Sequence, residues 1–197
     1  MSRRLVLAAA LLVPLAACAT PQGPAEVTTF AAPDAQSRLG QGTVFVETGE
    51  GGDSLALAPY KAAVAAELRR LGYTEAPRAG AGQIATVRVD QYQQGRDQRR
   101  SPVSVGVGGG TGGFGSGVGL GVGINLGGGG RDLRGTQLAV AIRDAGGSVL
   151  WEGRADLRVV DNSPLAQPQA NAQSVASALF RNFPNGSGET VMVEVAE

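Results

Sequence analysis

Residues 134–160 read RGTQLAVAIRDAGGSVLWEGRADLRVV, and this stretch decides the fold. Apolar side chains alternate with polar or small ones on both sides of a central Asp-Ala-Gly-Gly segment. Such alternation indicates strands with one buried face, and the central segment has the composition of a tight turn. We therefore predict an antiparallel hairpin. Its buried face is expected to carry Leu138, Val140, Ile142, Val149, Trp151, Ala155, Leu157 and Val159.

The alternation also predicts which side chains of this hairpin face water. Glu152, Arg154, Asp156 and Arg158 occupy the positions between the apolar residues of the second strand. An antiparallel sheet that is covered on one side commonly leaves such a polar face in solvent. Trp151 is on the apolar face, so we expect it to pack in the core rather than to bind a ligand.

Toward the C-terminus, the sequence predicts a helix and a short strand. Val175, Leu179 and Phe183 recur every four residues, which is typical of an amphipathic helix over Pro168–Asn182 that Pro184 stops. Residues 190–195 are rich in β-branched residues and predict a final strand.

Toward the N-terminus, a strand–helix–strand series is predicted. Thr43–Glu47 and Ile84–Tyr92 have the composition or alternation of strands, and Leu57–Leu71 has an apolar stripe at helical spacing. The sequence thus predicts one α+β domain over residues 43–197, with a mostly antiparallel sheet and two helices on one face. Phe30 could begin an additional edge strand, but residues 18–42 are otherwise interpreted as a tether.

A glycine-rich insertion is predicted at about residues 101–131. Glycine occupies 15 of the 28 positions in 103–130, and no charged residue occurs there. We weigh three structures: a mobile loop, a hairpin with one glycine face, and, least favoured, a membrane helix, in which each glycine would cost about 1 kcal/mol relative to alanine. The flanking Arg99, Arg100 and Arg131 could meet lipid phosphates, and the tract could bind an envelope partner.

Residues 1–17 have the layout of a secretory signal. Arg3 and Arg4 precede a short apolar run that ends in Leu15-Ala16-Ala17, directly before Cys18. That ending resembles the bacterial lipobox, in which the cysteine is lipidated and becomes the first residue of the mature protein. Cys18 is the single cysteine of the chain, and we expect it to be the membrane anchor.

Composition excludes several kinds of chemistry. The chain has no histidine, which removes histidine-based acid–base catalysis and histidine metal sites. Loss of residues 1–17 takes two arginines and no acid from 17 bases and 17 acids, leaving a net charge of −2, so nucleic-acid binding is not expected. Glu47, Glu50 and Asp53 could bind calcium weakly, but a solvated acidic loop is preferred. Lys61 is interpreted as a surface lysine, and no cofactor or metal is predicted.

The chain resembles a family of bacterial lipoproteins known as domain of unknown function 4136. The resemblance rests on the order of four short motifs between about residues 44 and 184: Leu71–Tyr73, Gly135–Leu138 leading to Asp144, Trp151–Gly153 and Phe180–Pro184. Membership implies a lipoprotein that faces the periplasm, and it supplies no known activity or site residue.

From the residues and this resemblance we expect a non-catalytic, lipid-anchored lipoprotein at the inner face of a Gram-negative outer membrane. The presence of Ala19 rather than Asp after the cysteine resembles lipoproteins that are released to that membrane. Its role would be structural or partner-binding. Two alternatives are a small-ligand carrier with a pocket between helices and sheet and, less favoured, a hydrolase that uses carboxylates alone.

Overall fold

The computed structural model describes residues 23–49, 52, 54–94, 103–108, 119–124 and 132–195, with only the backbone for 94 and for the two short segments between 103 and 124. The strands are β1 Ala25–Ala31, β2 Thr43–Thr48, β3 Thr74–Glu75, β4 Gln83–Gln94, β5 Val103–Gly108, β6 Gly119–Ile124, β7 Leu133–Asp144, β8 Val149–Val160 and β9 Ser187–Val193. The helices are α1 Ala58–Arg70 and α2 Pro168–Leu179, with 3-10 turns at Arg78–Gly80 and Pro164–Ala166.

Seven strands form one mixed sheet in the order β3-β2-β4-β7-β8-β1-β9. The pairs from β4 to β9 are antiparallel, whereas β2 pairs in parallel with both β3 and β4. The chain passes from β2 through α1 and β3 to β4, and such a crossover lets two neighbouring strands run in parallel. The predicted α+β class, with a mostly antiparallel sheet and two helices, is confirmed.

The central hairpin forms as the sequence predicts, but the expected burial of Val149 is wrong. Val149 is 40% exposed and Leu150 is buried instead, because the register shifts at this end of the hairpin. Strands β7 and β8 pair from Leu133↔Val160 to Ile142↔Trp151, with an irregularity near the turn. The Asp144 carboxylate accepts hydrogen bonds from the backbone N–H groups of Gly146 and Ser148, each at 3.0 Å. Gly147 has a φ of +87°, a conformation that favours glycine. The turn residues therefore fix the register of these two strands.

Helix α1 has the predicted bounds to within one residue. Its buried side chains include Tyr60, Val64 and Leu68, at the predicted helical spacing. Gly72 follows the helix with a φ of +106°, and a Cβ atom there would lie 2.4 Å from the carbonyl oxygen of Gly40. Glycine is thus required by both conformation and space, which explains the Leu71–Tyr73 motif.

Helix α2 ends at Leu179, so the predicted end at Asn182 is wrong. The chain instead turns through residues 180–184 and packs two rings on Trp151. Phe180 stacks on the indole at a centroid distance of 5.3 Å, and Phe183 meets it edge-on at 5.3 Å. Aromatic packing of this kind explains why the apolar periodicity continues beyond the last helical turn.

The domain begins at or before Ala25, which corrects the predicted boundary at Thr43. Strand β1 lies inside the sheet, between β8 and β9, and Ala25 and Val27 are buried. Residues 33–40 then form turns in which Ala35 and Leu39 are also buried. Only the part of the predicted tether before Ala25 precedes the first strand.

The core lies between the helices and one face of the sheet. Trp151 is completely buried there, as predicted. Gly153, two residues further along β8, leaves the space that this ring needs, because a Cβ atom would lie 2.3 Å from the indole. Full burial of a side chain as large as tryptophan contributes strongly to stability.

The glycine-rich insertion connects two strands that pair with each other. Strands β4 and β7 are joined over twelve residue pairs, from Gln83↔Asp144 to Gln94↔Leu133. Within the insertion, β5 and β6 form a separate two-stranded antiparallel ladder, and the other residues of 95–131 lie outside the described ranges. Among the described helices, none is long and apolar enough to cross a membrane.

Candidate functional site on the open face of the sheet

The residues singled out from the sequence do not gather in one place. Cys18, Glu50 and Asp53 lie outside the described residues. Glu47 is in β2, where it pairs with Arg78, and Lys61 is half-buried on α1. Of the three acids considered for calcium, the structure describes Glu47 alone, and Glu47 is ion-paired. In the described ranges no group of three acids is placed to hold a metal ion.

The sheet has one face covered by the helices, and buried side chains fill most of that side. A chain of hydrogen bonds crosses it: Gln91 Nε2 donates to the Tyr60 hydroxyl at 2.7 Å, which donates to Asn171 Oδ1 at 2.9 Å. The Asn171 amide donates in turn to the Leu165 carbonyl at 3.0 Å.

A hollow of about 480 Å³ does occur beside the helices, but α1 and α2 line it rather than the sheet. A second hollow of about 490 Å³ lies between α1 and the sheet, where Val46 of β2, Glu75 of β3 and Ala62 of α1 line it. The carrier hypothesis, which placed a pocket between helices and sheet, stays an alternative.

The opposite face carries the more distinctive surface, which we call the open face. Strand register arranges its side chains in rows. One row runs Arg88, Ala139, Arg154 and Thr28 across β4, β7, β8 and β1, and the next runs Thr86, Ala141, Glu152 and Phe30. Neighbouring strands are about 4.8 Å apart, so each row spans about 14 Å.

Small residues on β7 create a groove in this open face. Ala139 and Ala141 form its floor, and the longer side chains on β4 and β8 form its walls. Arg143, two residues beyond Ala141, lines one end. The concavity has a volume of about 470 Å³, which lies within the range of small binding sites.

The groove is positively charged and incompletely neutralised. Arg38, Arg70, Arg78, Arg134 and Arg158 each pair with an acid elsewhere. By contrast, Arg143, Arg154 and Glu152 form no ion pair within the described part of the chain. Planar guanidinium groups match carboxylates and phosphates with two parallel hydrogen bonds. The groove is therefore suited to an anionic group.

A second cluster on the open face is internally satisfied. The Tyr92 hydroxyl lies 2.9 Å from both carboxylate oxygens of Asp156, and Arg158 Nε donates to that hydroxyl at 3.2 Å. Arg158 also lies 3.3 Å from Glu26. Desolvation raises the pKa of Tyr92, with the Asp156 carboxylate adding to the effect and Arg158 opposing it. The Arg158 guanidinium thus lies between Glu26 and Asp156, which is 3.2 Å away, and this is the arrangement of a structural cluster.

Exposed apolar side chains complete the open face. Phe30 is 56% exposed and Met192 is 65% exposed, and Tyr92 is also accessible. Register places all three on the open face, since Phe30 lies opposite Glu152 and Met192 opposite Glu26. Aromatic residues, methionine and arginine are the types enriched in protein interfaces.

Sequence reasoning missed most of this surface. It took Arg154 and Glu152 for a wet outer face, and it did not single out Ala139, Ala141 or Arg143. The available signal was the alternation itself, because β7 carries alanine at the positions where its neighbours carry long polar side chains. Recognising a groove from that signal requires the strand order, which the sequence does not state.

Comparison with known proteins identifies a family and a fold. The family model described as domain of unknown function 4136 matches residues 25–185. No curated protein matches the chain. A solved PDZ domain protein from Parabacteroides distasonis is similar with a TM-score of 0.53 and 13% identity, over 87% of this chain and 39% of that one. A PelC variant dodecamer from Paraburkholderia phytofirmans has a TM-score of 0.43 and 15% identity, over 79% and 94% of the two chains.

The family match and the solved structures carry different information. This chain spans 39% of the length of the PDZ domain protein, and at 13% identity the likeness concerns the fold. The family match starts at Ala25, the first residue of β1, and includes every later element except β9.

Proposed function

The chain belongs to the domain of unknown function 4136 family, and we propose that it is a non-catalytic lipoprotein that is anchored through Cys18 and binds an envelope protein with its open face. The proposed location is the outer membrane, with the domain in the periplasm. The observation that carries the partner-binding role is the open face itself, where Phe30 and arginines line a groove and Met192 and Tyr92 are exposed on the same face.

The anchoring half of the proposal is supported by the signal-like segment. A charged start, a short apolar run and a small-residue exit lead directly to Cys18. Additional acyl chains convert marginal membrane binding into stable attachment. Replacing Cys18 with Ser should move the protein from membrane to soluble fractions, and a variant that stays with salt-washed membranes contradicts the lipid anchor.

The binding half is supported by the composition and charge of the open face. Phe30 and Met192 offer apolar area, while Arg143 and Arg154 offer donors that no described acid neutralises. Burial of aromatic and arginine side chains accounts for much of the energy of protein interfaces. A partner that places carboxylate side chains in the groove would satisfy both arginines.

Photo-crosslinking tests the open face directly. Phe30 is replaced by p-benzoylphenylalanine in the full lipidated chain, and intact cells are irradiated. The matched control places the same residue at Leu55, which is 95% exposed and lies beside α1, away from the open face. We expect a discrete adduct with one identifiable envelope protein from position 30 alone, weakened by Arg154→Glu. Identical adducts from both positions, or none from position 30, contradict the proposal.

The glycine-rich insertion remains a second proposed contact with a partner. It leaves the sheet after β4 and returns at β7, and its flanks carry Arg99, Arg100 and Arg131. A variant with residues 103–130 replaced by a short Gly-Ser linker separates the two contacts. Adducts from position 30 that persist in this variant assign binding to the open face, whereas their loss assigns it to the insertion.

A further inference from the structure

We infer that one end of the sheet faces the bilayer, namely the end where β4 stops, β7 starts and the chain enters β1. We call it the anchor end. The partner of this surface is the phospholipid headgroup layer. The inference rests on the proposed lipidation of Cys18, and it adds an orientation that anchoring alone does not give.

The segment between Cys18 and β1 is short. Seven peptide units join Cys18 to Ala25, the first residue of β1. A fully extended chain covers about 3.5 Å per residue, so the anchor lies no more than about 25 Å from Ala25. The domain is therefore held close to the membrane surface.

Ala25 lies toward the anchor end of the sheet. Glu26 lies opposite Asp156, and Asp156 lies opposite Gln137, so the entry to β1 is level with the first residues of β7. The chain before Ala25 continues toward the same end, because β1 and β7 both run antiparallel to β8. The tether therefore leaves the sheet at the anchor end.

The β7–β8 turn lies at the opposite end of the sheet, far from Ala25. The β7–β8 turn begins at Asp144, eight residues along β7 from the level of Ala25, which is about 27 Å at 3.4 Å per residue. A tether that doubled back would have to be fully extended to approach this turn, and full extension is entropically costly. The turn is thus expected to point away from the bilayer.

The connection that joins β4 to β7 also contains basic residues. The segment that leaves β4 contains Arg99 and Arg100, and the segment that returns to β7 contains Arg131. Basic residues near an anionic leaflet are attracted to its headgroups. The chain thus concentrates arginines in the connection that starts and ends at the end of the sheet nearest the lipid.

Single-cysteine labelling measures the orientation, because the chain has no cysteine besides Cys18. The lipidated protein is placed in vesicles of phosphatidylethanolamine and phosphatidylglycerol with a rhodamine headgroup acceptor. Asp132→Cys labels the anchor end and Ala145→Cys labels the turn, both at exposed positions. Energy transfer should be roughly twofold or more higher from position 132, since the two sites are about 40 Å apart along β7.

A second pair of labelled variants controls for folding defects caused by the substitutions. Asn162→Cys and Ser148→Cys lie in exposed loops at the same two ends, and each labelled variant must melt like the unlabelled chain. Equal transfer from both ends, or greater transfer from the turn, overturns the orientation. Wild-type protein should take up no label. Labelling of Cys18 itself shows that the thiol is not lipidated, which defeats the proposed anchor rather than the orientation.

Discussion

The two faces of strand β8 are in opposite environments. Trp151, Ala155, Leu157 and Val159 point toward the helices and are fully buried, whereas Glu152, Arg154 and Arg158, between them in the sequence, are exposed. Successive side chains of a strand point to opposite faces, so one segment serves both environments. The covered face supplies the stability of the domain, and the open face is the surface proposed to bind a partner.

The largest expected effect comes from the covered face. Trp151→Ala should lower the free energy of unfolding by about 3–5 kcal/mol, because it removes a buried ring that packs on Phe180 and Phe183. Phe30→Ala on the open face should change it by no more than about 0.5 kcal/mol. Urea unfolding of both variants in a soluble Cys18→Ser background measures the contrast. Equal losses of unfolding free energy in the two variants would contradict the different contributions of the two faces to stability.

The same substitution on both faces sharpens the comparison. Gly153→Ala forces a Cβ atom against Trp151 and Leu179, which are buried on all sides, and overpacking of this kind costs about 1–3 kcal/mol. Gly135→Ala forces a Cβ atom against the Tyr92 ring, which can swing into solvent at the loss of its hydrogen bonds, about 1 kcal/mol or less. A greater loss from Gly135→Ala in thermal melts would show that the Tyr92 cluster is rigid.

Acid sensitivity of the β7–β8 turn is a smaller expected effect. The backbone N–H of Ser148 holds the pKa of Asp144 below its ordinary value, with help from Arg38 and the N–H of Gly146. A lowered pKa means that Asp144 stabilises the fold at neutral pH and that this contribution fades as the pH falls below about 4. Asp144→Asn should therefore lower the melting temperature at pH 7 and lose this effect in acid. Melting curves that differ equally at both pH values contradict the assignment.

The smallest expected effect concerns the insertion. Replacing residues 103–130 with a short Gly-Ser linker should leave the free energy of unfolding within about 0.5 kcal/mol, because β4 and β7 pair directly without it. A shorter loop also costs slightly less entropy to close. Circular dichroism and urea titration of the variant provide the measurement. Loss of soluble, cooperatively unfolding protein would show that the insertion supports the sheet.

Much of the fold could be read from local patterns. The hairpin, α1 and strands β2, β4 and β9 follow from alternation, helical spacing and turn residues, since these signals arise within one element. Strand β1 was the main omission. Its sequence, AEVTTFA, buries only Ala25 and Val27, so its pattern is weak until β8 and β9 are present on either side. The end of α2 was also misplaced, because Phe180 and Phe183 belong to an aromatic cluster rather than to a helical stripe.

The candidate site depended on strand order to a greater degree than the fold did. Arg154 and Glu152 were recognised as a polar face from their own strand alone. The groove exists because β7, with its two alanines, lies between β4 and β8, and such neighbours are distant in sequence. Strand pairing over long separations is not encoded in local periodicity.

The sequence by itself determined the identity of most elements, the signal-like start before Cys18 and the exclusion of histidine chemistry, because composition and short-range spacing decide these. Only the tertiary structure decided that β1 lies inside the sheet, that Gly153 makes room for Trp151, and that two alanines become the floor of a charged groove. Each of these depends on which segments are neighbours in space. That choice is made when a whole sheet face is buried at once, so no single segment contains it.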